Sequence, residues 1–187
     1  MKHYKLLAEF LLTAFAGGLL GMFVQLSAYQ SGGWYAGDPV SSFGLVSYGL
    51  FFWVTICTLR AYHSRCGLHA ALLVLSLLIP ALAGYTAMAY LWYIPLNHAV
   101  VLLGILLLLP AAVAAWILRA ARRYPVSRVV VHALGTAVLL FDLHTRIQFR
   151  PLPLLTEIAL FAWFLYITRD LNAEKNRFPA ASGICMN

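Results

Sequence analysis

Six apolar stretches, each close to the length that crosses a bilayer, alternate with short polar hinges along the chain. A helix needs about 20 mostly apolar residues to cross the hydrocarbon core. The predicted crossings cover residues 6–29, 43–59, 69–93, 98–118, 129–143 and 152–168. The sequence therefore predicts an all-α integral membrane protein. Its six-helix transmembrane bundle spans residues 1–169, and a short polar tail covers residues 170–187.

The positive charges predict the orientation of this bundle. If both termini lie on one side, that side holds every Lys and Arg of the chain except Arg146 and Arg150. Cytoplasmic loops carry the excess of positive charge in membrane proteins. Both termini and the tail are therefore predicted to be cytoplasmic, with the chain as a multi-pass protein of a bacterial-type inner membrane.

The composition excludes most soluble classes, because 63% of the 187 residues are hydrophobic and only 10% are charged. Soluble domains carry roughly 25% charged residues. The net charge of +7 sits at helix ends and forms no stripe, which favours a bilayer with anionic lipids over nucleic acid as the partner. The cysteines, Cys57, Cys66 and Cys185, would lie in or near the inner leaflet or the cytosol, where disulfides are rare, so no structural disulfide is expected.

Six arginines define what we call the inner basic rim. They are Arg60, Arg65, Arg119, Arg122, Arg123 and Arg128. One interpretation is attachment to anionic lipids. The other is a docking surface for an acidic cytosolic protein, since arginine offers bidentate recognition of carboxylates.

Glu9 and His132 are ionisable residues predicted to lie within crossings, where membrane proteins place such groups toward a bundle interior, cavity or interface. Glu9 is four residues from Lys5, so the two side chains are within reach of an ion pair at the membrane surface. His132 is deeper in its crossing. Its alternatives are a neutral imidazole hydrogen-bonded to a neighbouring helix, or a proton relay, ligand contact or metal ligand.

The opposite side carries what we call the outer polar rim. Its members are Asp142, Arg146, Arg150, Glu157 and His98. They are predicted to form either a mutually neutralised structural cluster or an outward-facing pocket for a polar or anionic group, with the arginines as donors.

One hinge holds a thiol beside an imidazole, in His63 and Cys66. A cysteine flanked by histidine and arginine can act as a nucleophile. The arrangement is similar to that of the membrane peptidases that process quorum-sensing propeptides, although their His-to-Cys spacing is longer. It implies a thiol peptidase as one alternative. The sequence contains no phosphate loop, zinc-ligand spacing or paired catalytic carboxylates, and no cofactor or metal is expected.

The first crossing contains a close-packing motif, since Gly17 and Gly21 place two small residues on one helix face. This motif favours helix packing within the chain over self-association through the same face. A six-helix chain of this size is nevertheless expected to need copies or partners to build a site, so a homo-oligomer is predicted.

These patterns lead to three functional hypotheses. The first is a non-enzymatic sensor or anchor subunit of a multi-protein complex, such as a stress or phage-defence assembly, that docks a cytosolic partner at the inner basic rim. The second is a transport or substrate-capture subunit for a small polar solute held at the outer polar rim. In size alone the chain resembles the vitamin-binding subunits of energy-coupling transporters. The third is the thiol peptidase.

Overall fold

The part of the chain that the structure describes is all-helical, with six helices and no strand. A computed structural model describes residues 2–30, 49–64, 66–121, 125–144 and 151–169. The helices are α1 (Lys2–Gln30), α2 (Leu50–Tyr62), α3 (Gly67–Leu91), α4 (His98–Ala121), α5 (Pro125–Asp142) and α6 (Pro151–Arg169). The prediction of an all-helical chain is confirmed.

Three of these helices are long and apolar enough to cross a membrane, which indicates a membrane protein. The spans are Tyr4–Ser27 in α1, Gly67–Leu91 in α3 and His98–Arg119 in α4. The apolar segments of the other helices are shorter, at Leu50–Tyr62, Val129–Asp142 and Leu154–Tyr166. Helix α5 begins at Pro125, four residues before the predicted start of the fifth crossing. Residues 43–48 of the predicted second crossing lie outside the described residues.

Helices α1 and α3 run parallel in close contact, and glycine makes that contact possible. A Cβ added to Gly17 would lie 2.2 Å from the carbonyl oxygen of Leu77, and one added to Gly21 would lie 1.8 Å from that of Ala81. Such distances are far inside van der Waals contact, so only glycine allows the two backbones to approach this closely. The small residues of α1 therefore pack within the chain, against α3.

The remaining helices alternate in direction around two apolar clusters. The first cluster joins α2, α3 and α4, and its buried members are Ala61, Ala70, Val74 and Ala115. The second joins α2, α5 and α6, and its buried members are Phe51, Leu139 and Phe164. Because both clusters contain residues of α2, this short helix connects the two halves of the bundle.

Large apolar side chains cover the outside of the bundle along most of its length. On α4 the exposed residues include Leu102, Leu103, Ile105, Leu106 and Leu109. On α1 they include Leu7, Leu11, Leu12, Phe15 and Leu19. A soluble protein rarely exposes continuous apolar surface of this extent, whereas a lipid-facing surface requires it.

Candidate functional site

Helices α5 and α6 meet along an antiparallel seam that carries polar residues at both ends. The buried face of α5 presents Gly135, Leu139 and Asp142, and the buried face of α6 presents Glu157, Phe164 and Thr168. Spacings of three, four and seven residues place each set on a single helix face. A Cβ on Gly135 would lie 2.6 Å from the Phe164 ring, which shows how tightly the two helices pack at the middle of the seam.

One end of the seam holds two fully buried acids, Asp142 and Glu157, which we call the carboxyl pair. Both residues have 0% of their surface exposed, and they are close enough to interact electrostatically. Oδ2 of Asp142 accepts a hydrogen bond of 2.6 Å from the backbone N–H of Phe51, in the first turn of α2. A carboxylate at this position satisfies one of the free N–H groups of the helix start and lies at the positive end of the helix dipole.

Glu157 has no such compensation. Neither of its carboxyl oxygens has a hydrogen-bond partner, although both are buried. Glu157 occupies the second turn of α6, about 9 Å from the helix start at 1.5 Å per residue. A buried acid without hydrogen bonds is costly wherever it lies, and more so in a protein surrounded by lipid. Glu157 is therefore the side chain whose presence most requires a functional explanation.

The other end of the seam holds a hydrogen-bonded pair. Nε2 of His132 lies 2.7 Å from the hydroxyl oxygen of Thr168 on α6. That hydroxyl also donates to the Phe164 carbonyl oxygen at 2.7 Å. With its hydrogen already donated to the helix, the Thr168 oxygen acts as acceptor, so His132 donates from Nε2. This geometry corresponds to the first alternative for His132, an imidazole that is hydrogen-bonded to a neighbouring helix.

A second polar group joins α1, α2 and α3, and we call it the Glu9 cluster. The Arg60 guanidinium lies 3.8 Å from one carboxyl oxygen of Glu9 and also donates to the Thr13 hydroxyl. Nε2 of His69 lies 3.7 Å from the other carboxyl oxygen, and the His69 ring meets the Phe10 ring edge-on. The ionic contacts of Glu9 therefore lead to other helices, and the predicted partner Lys5 is exposed and takes no part in them.

The members of the outer polar rim are brought together only in part. Asp142 and Glu157 are close enough to interact electrostatically, whereas His98 is exposed at the start of α4 and makes no polar contact with the rest of the described chain. Arg146 and Arg150 lie outside the described residues. The predicted pairing of these arginines with Glu157 stays a prediction.

Three of the six arginines of the inner basic rim lie among the described residues. Arg60 and Arg119 lie in the last turns of α2 and α4, and Arg128 lies in the first turn of α5. Arg65, Arg122 and Arg123 lie outside the described residues. Within the described chain, Arg60 is neutralised by Glu9 and so is not a freely available cation for a partner.

The thiol hinge lacks the geometry of a catalytic pair. Nδ1 of His63 is 2.9 Å from the carbonyl oxygen of Leu59, in its own helix. Cys66, at the start of α3, is disulfide-bonded. The expectation of no disulfide was wrong for Cys66. In this form the residue offers no nucleophilic thiolate, which removes the main support for a thiol peptidase.

Sequence reasoning overlooked the hydroxyl partners of these polar groups. Thr13 and Thr168 each bond to a carbonyl of their own helix, of Glu9 and Phe164 respectively. Both also contact a charged or titratable side chain of another helix. A threonine four residues beyond a polar or aromatic helix position is too common to single out without the neighbouring helix.

The described residues contain no group of three or more His, Cys, Asp or Glu side chains that could hold a metal ion. No protein-family model matches the chain, and no curated protein or solved structure matches it either.

Proposed function

We propose that this chain is a non-enzymatic sensor or anchor subunit of a multi-protein complex in the inner membrane. It crosses the membrane six times with both termini in the cytoplasm. The alternating directions of the helices and the one-sided distribution of Lys and Arg support this topology. Helices α5 and α6, with 18 and 19 residues, extend about 27 and 28 Å, close to the thickness of the hydrocarbon core.

The observation that carries the proposal is that charged groups from other helices hold α2 at both ends. Asp142 of α5 bonds to the start of α2 at Phe51, and Glu9 of α1 pairs with Arg60 in its last turn. In the proposed topology these contacts lie on the outer and inner sides of the membrane. A change at the carboxyl pair would shift α2 and reach the Glu9 cluster about 14 Å away along the helix axis.

The inner side of the proposed topology is where a partner would dock. Arg119, Arg122, Arg123 and Arg128 lie within ten residues of one another, at the end of α4, in the hinge that follows it and at the start of α5. An acidic protein surface is the partner whose carboxylates match this arginine-rich hinge. Assemblies for stress response or phage defence are complexes in which such an anchor would operate.

The test is a pull-down of the tagged protein from its own host in mild detergent, followed by mass spectrometry. The variant reverses two charges in the inner hinge, Arg122→Glu with Arg123→Glu. The matched control reverses the two outer arginines, Arg146→Glu with Arg150→Glu. We expect a stoichiometric soluble partner that the first variant loses and the control keeps. Retention of the partner by the inner variant, or no stoichiometric partner with the wild type, would overturn the proposal.

A second candidate function is transport or capture of a small polar solute, and the unpaired Glu157 favours it. A buried acid at one end of a helix seam is a typical feature of solute and ion pathways. This candidate predicts a small molecule that co-purifies with the wild-type protein. Binding should be lost with Glu157→Gln and with Arg146→Ala. Unchanged binding in both variants would eliminate it.

A further inference from the structure

Glu157 is a fully buried acid whose two carboxyl oxygens have no hydrogen-bond partner. Asp142, the other member of the carboxyl pair, accepts the Phe51 N–H and has a further interaction beside that bond. The need for compensation therefore falls on Glu157, whatever balances the charge of Asp142. An ionised Glu157 would be a buried charge without a hydrogen bond.

The surroundings of Glu157 on its helix face are apolar. Leu160 and Phe161 lie three and four residues further along α6, on the same face, and both pack against the second apolar cluster. The Phe161 ring lies 6.1 Å from the Phe51 ring, centroid to centroid. An ionised carboxylate there would lose its hydration and gain no hydrogen bond in return, which costs much more than burial of the neutral acid. The packed seam therefore favours the neutral carboxylic acid.

Within the described chain no basic side chain forms a hydrogen-bonded ion pair with Glu157. The helices packed against α6 in that part of the chain are α2 and α5. Asp142 is close enough to interact electrostatically with Glu157 and is itself an acid, so it supplies no positive charge. His144, in the turn after α5, is exposed, and Arg146 and Arg150 lie outside the described residues. The other titratable residues of the three helices lie further from this end of the seam, and they are Cys57, Arg60 and Tyr62 on α2, Arg128 and His132 on α5, and Tyr166 and Arg169 on α6.

A proton is the ligand that fits these surroundings. It removes the charge of Glu157 and needs no further ligand atoms, whereas a metal cation needs several oxygen ligands. Ionisable residues inside membrane proteins commonly belong to proton relays. Glu157 lies about 9 Å from the start of α6, so a proton has a short path between the seam and the outer surface of the proposed topology.

We propose that Glu157 is a reversible proton-binding site, occupied while α2, α5 and α6 are packed as described. The proton is held on a carboxyl oxygen of Glu157 and leaves to water at the outer surface, without any other co-reactant. A deprotonated Glu157 regains its hydration only when this end of the seam opens. Because Asp142 on the same seam holds the start of α2, opening would shift that end of α2. The inference deepens the proposed function, and it rests on that function only for naming the proton as the stimulus.

The test is infrared spectroscopy of the purified full-length protein in nanodiscs, titrated from mildly acidic to mildly alkaline pH. A protonated carboxyl group gives a C=O stretching band that a carboxylate lacks. We expect the difference spectrum of wild type minus Glu157→Gln to contain this band at acidic pH and to lose it as the pH rises. Incorporation of ¹³C-labelled glutamate should shift the band to lower frequency, which assigns it to glutamate even if the variant does not fold.

Two controls separate Glu157 from other charged residues. Glu9→Gln removes an acid that already forms an ion pair with a neighbouring helix, so the band should be unchanged. Arg146→Ala with Arg150→Ala tests the arginines that lie outside the described residues, and the band should be present in this double variant as in the wild type. If the band appears only in the double variant, an arginine neutralises Glu157 in the wild type and the inference is wrong.

A second readout is the unfolding temperature over the same pH range. The folded protein holds a proton that the unfolded chain releases, so the wild type should lose stability as the pH rises. We expect the unfolding temperature to fall by about 3–5 °C for each pH unit over which the proton is lost. Glu157→Gln should lack this part of the fall, whereas Glu9→Gln should keep it.

Absence of the carboxylic acid band from the wild type at every pH would overturn the inference, as would the same band in Glu157→Gln. A band that persists unchanged to the alkaline limit would also contradict it, because the proton would then not exchange. None of these results depends on a partner protein. A failed proton test with an intact pull-down would leave the anchor function standing, and the reverse result would leave the proton site standing.

Discussion

The carboxylate of Asp142, on the last residue of α5, accepts a 2.6 Å hydrogen bond from the backbone N–H of Phe51 in the first turn of α2. The two residues are 91 positions apart in sequence. This bond joins the α5–α6 seam to the helix that also reaches the Glu9 cluster. The bond gives the buried Asp142 a structural role. Glu157, the other member of the carboxyl pair, has no hydrogen bond of this kind.

Substitution of Asp142 tests the role of this bond. Asp142→Ala removes a buried charge-assisted acceptor and leaves the Phe51 N–H without it, so we expect the free energy of unfolding to fall by about 2–3 kcal/mol. Asp142→Asn keeps an acceptor oxygen and should cost about 1 kcal/mol or less. Denaturation in mild detergent, followed by tryptophan fluorescence, measures both. Equal losses in the two variants would show that the hydrogen bond is not what Asp142 contributes.

Glu157→Gln is expected to act in the opposite direction. A buried charge without hydrogen bonds opposes folding, and its replacement by a neutral group of similar volume is often neutral or stabilising. We expect the unfolding temperature to stay the same or rise. A fall of several degrees would mean that the Glu157 charge has a stabilising partner and would contradict its assignment as unpaired.

The close contact of α1 and α3 gives a prediction with an internal control. Gly21→Ala places a methyl group where the Ala81 carbonyl oxygen lies 1.8 Å away, so the helices must separate. Overpacking of this kind typically costs about 1–3 kcal/mol. Gly18→Ala meets its nearest atom, the carbonyl oxygen of Pro80, at 3.7 Å, which is ordinary contact. We expect a lower unfolding temperature for the first variant and almost no change for the second.

The sequence alone predicts the helical class, most helix limits and the approach of Asp142 to Glu157. Apolar length and spacing determine the helical class and the helix limits. The approach of Asp142 to Glu157 follows because the end of one crossing and the start of the next must lie on the same side of the bundle. The sequence does not predict the partners of Glu9 or His132, because these lie on helices that are distant along the chain. For Glu9 the nearby Lys5 suggested a local pair, whereas the packing of α1 against α2 and α3 favours Arg60 and His69.

Because of the hydrogen bond between His132 and Thr168, we expect the same substitution to lower the free energy of unfolding more at Thr168 than at Thr136. Thr168→Val removes the acceptor of the partly buried His132 Nε2, and we expect a loss of about 1–2 kcal/mol in the free energy of unfolding. Thr136→Val is the matched control, because among the described residues its hydroxyl bonds to the His132 carbonyl of its own helix, at 2.8 Å, and to no other helix. It should cost less than 0.5 kcal/mol, on the order of a typical helix-surface substitution. Similar losses would show that His132 does not depend on the seam.

The six-crossing topology predicts which positions a membrane-impermeant thiol reagent reaches in intact cells. Single cysteines are introduced into a chain whose native cysteines are replaced by serine. At His98 and at Arg146, both on the outer side of the proposed topology, we expect labelling without permeabilisation. At His63 and at Arg122, on the inner side, we expect labelling only after the membrane is opened. If α5 does not cross, positions 122 and 146 will lie on the same side, and their equal labelling would reduce the number of crossings.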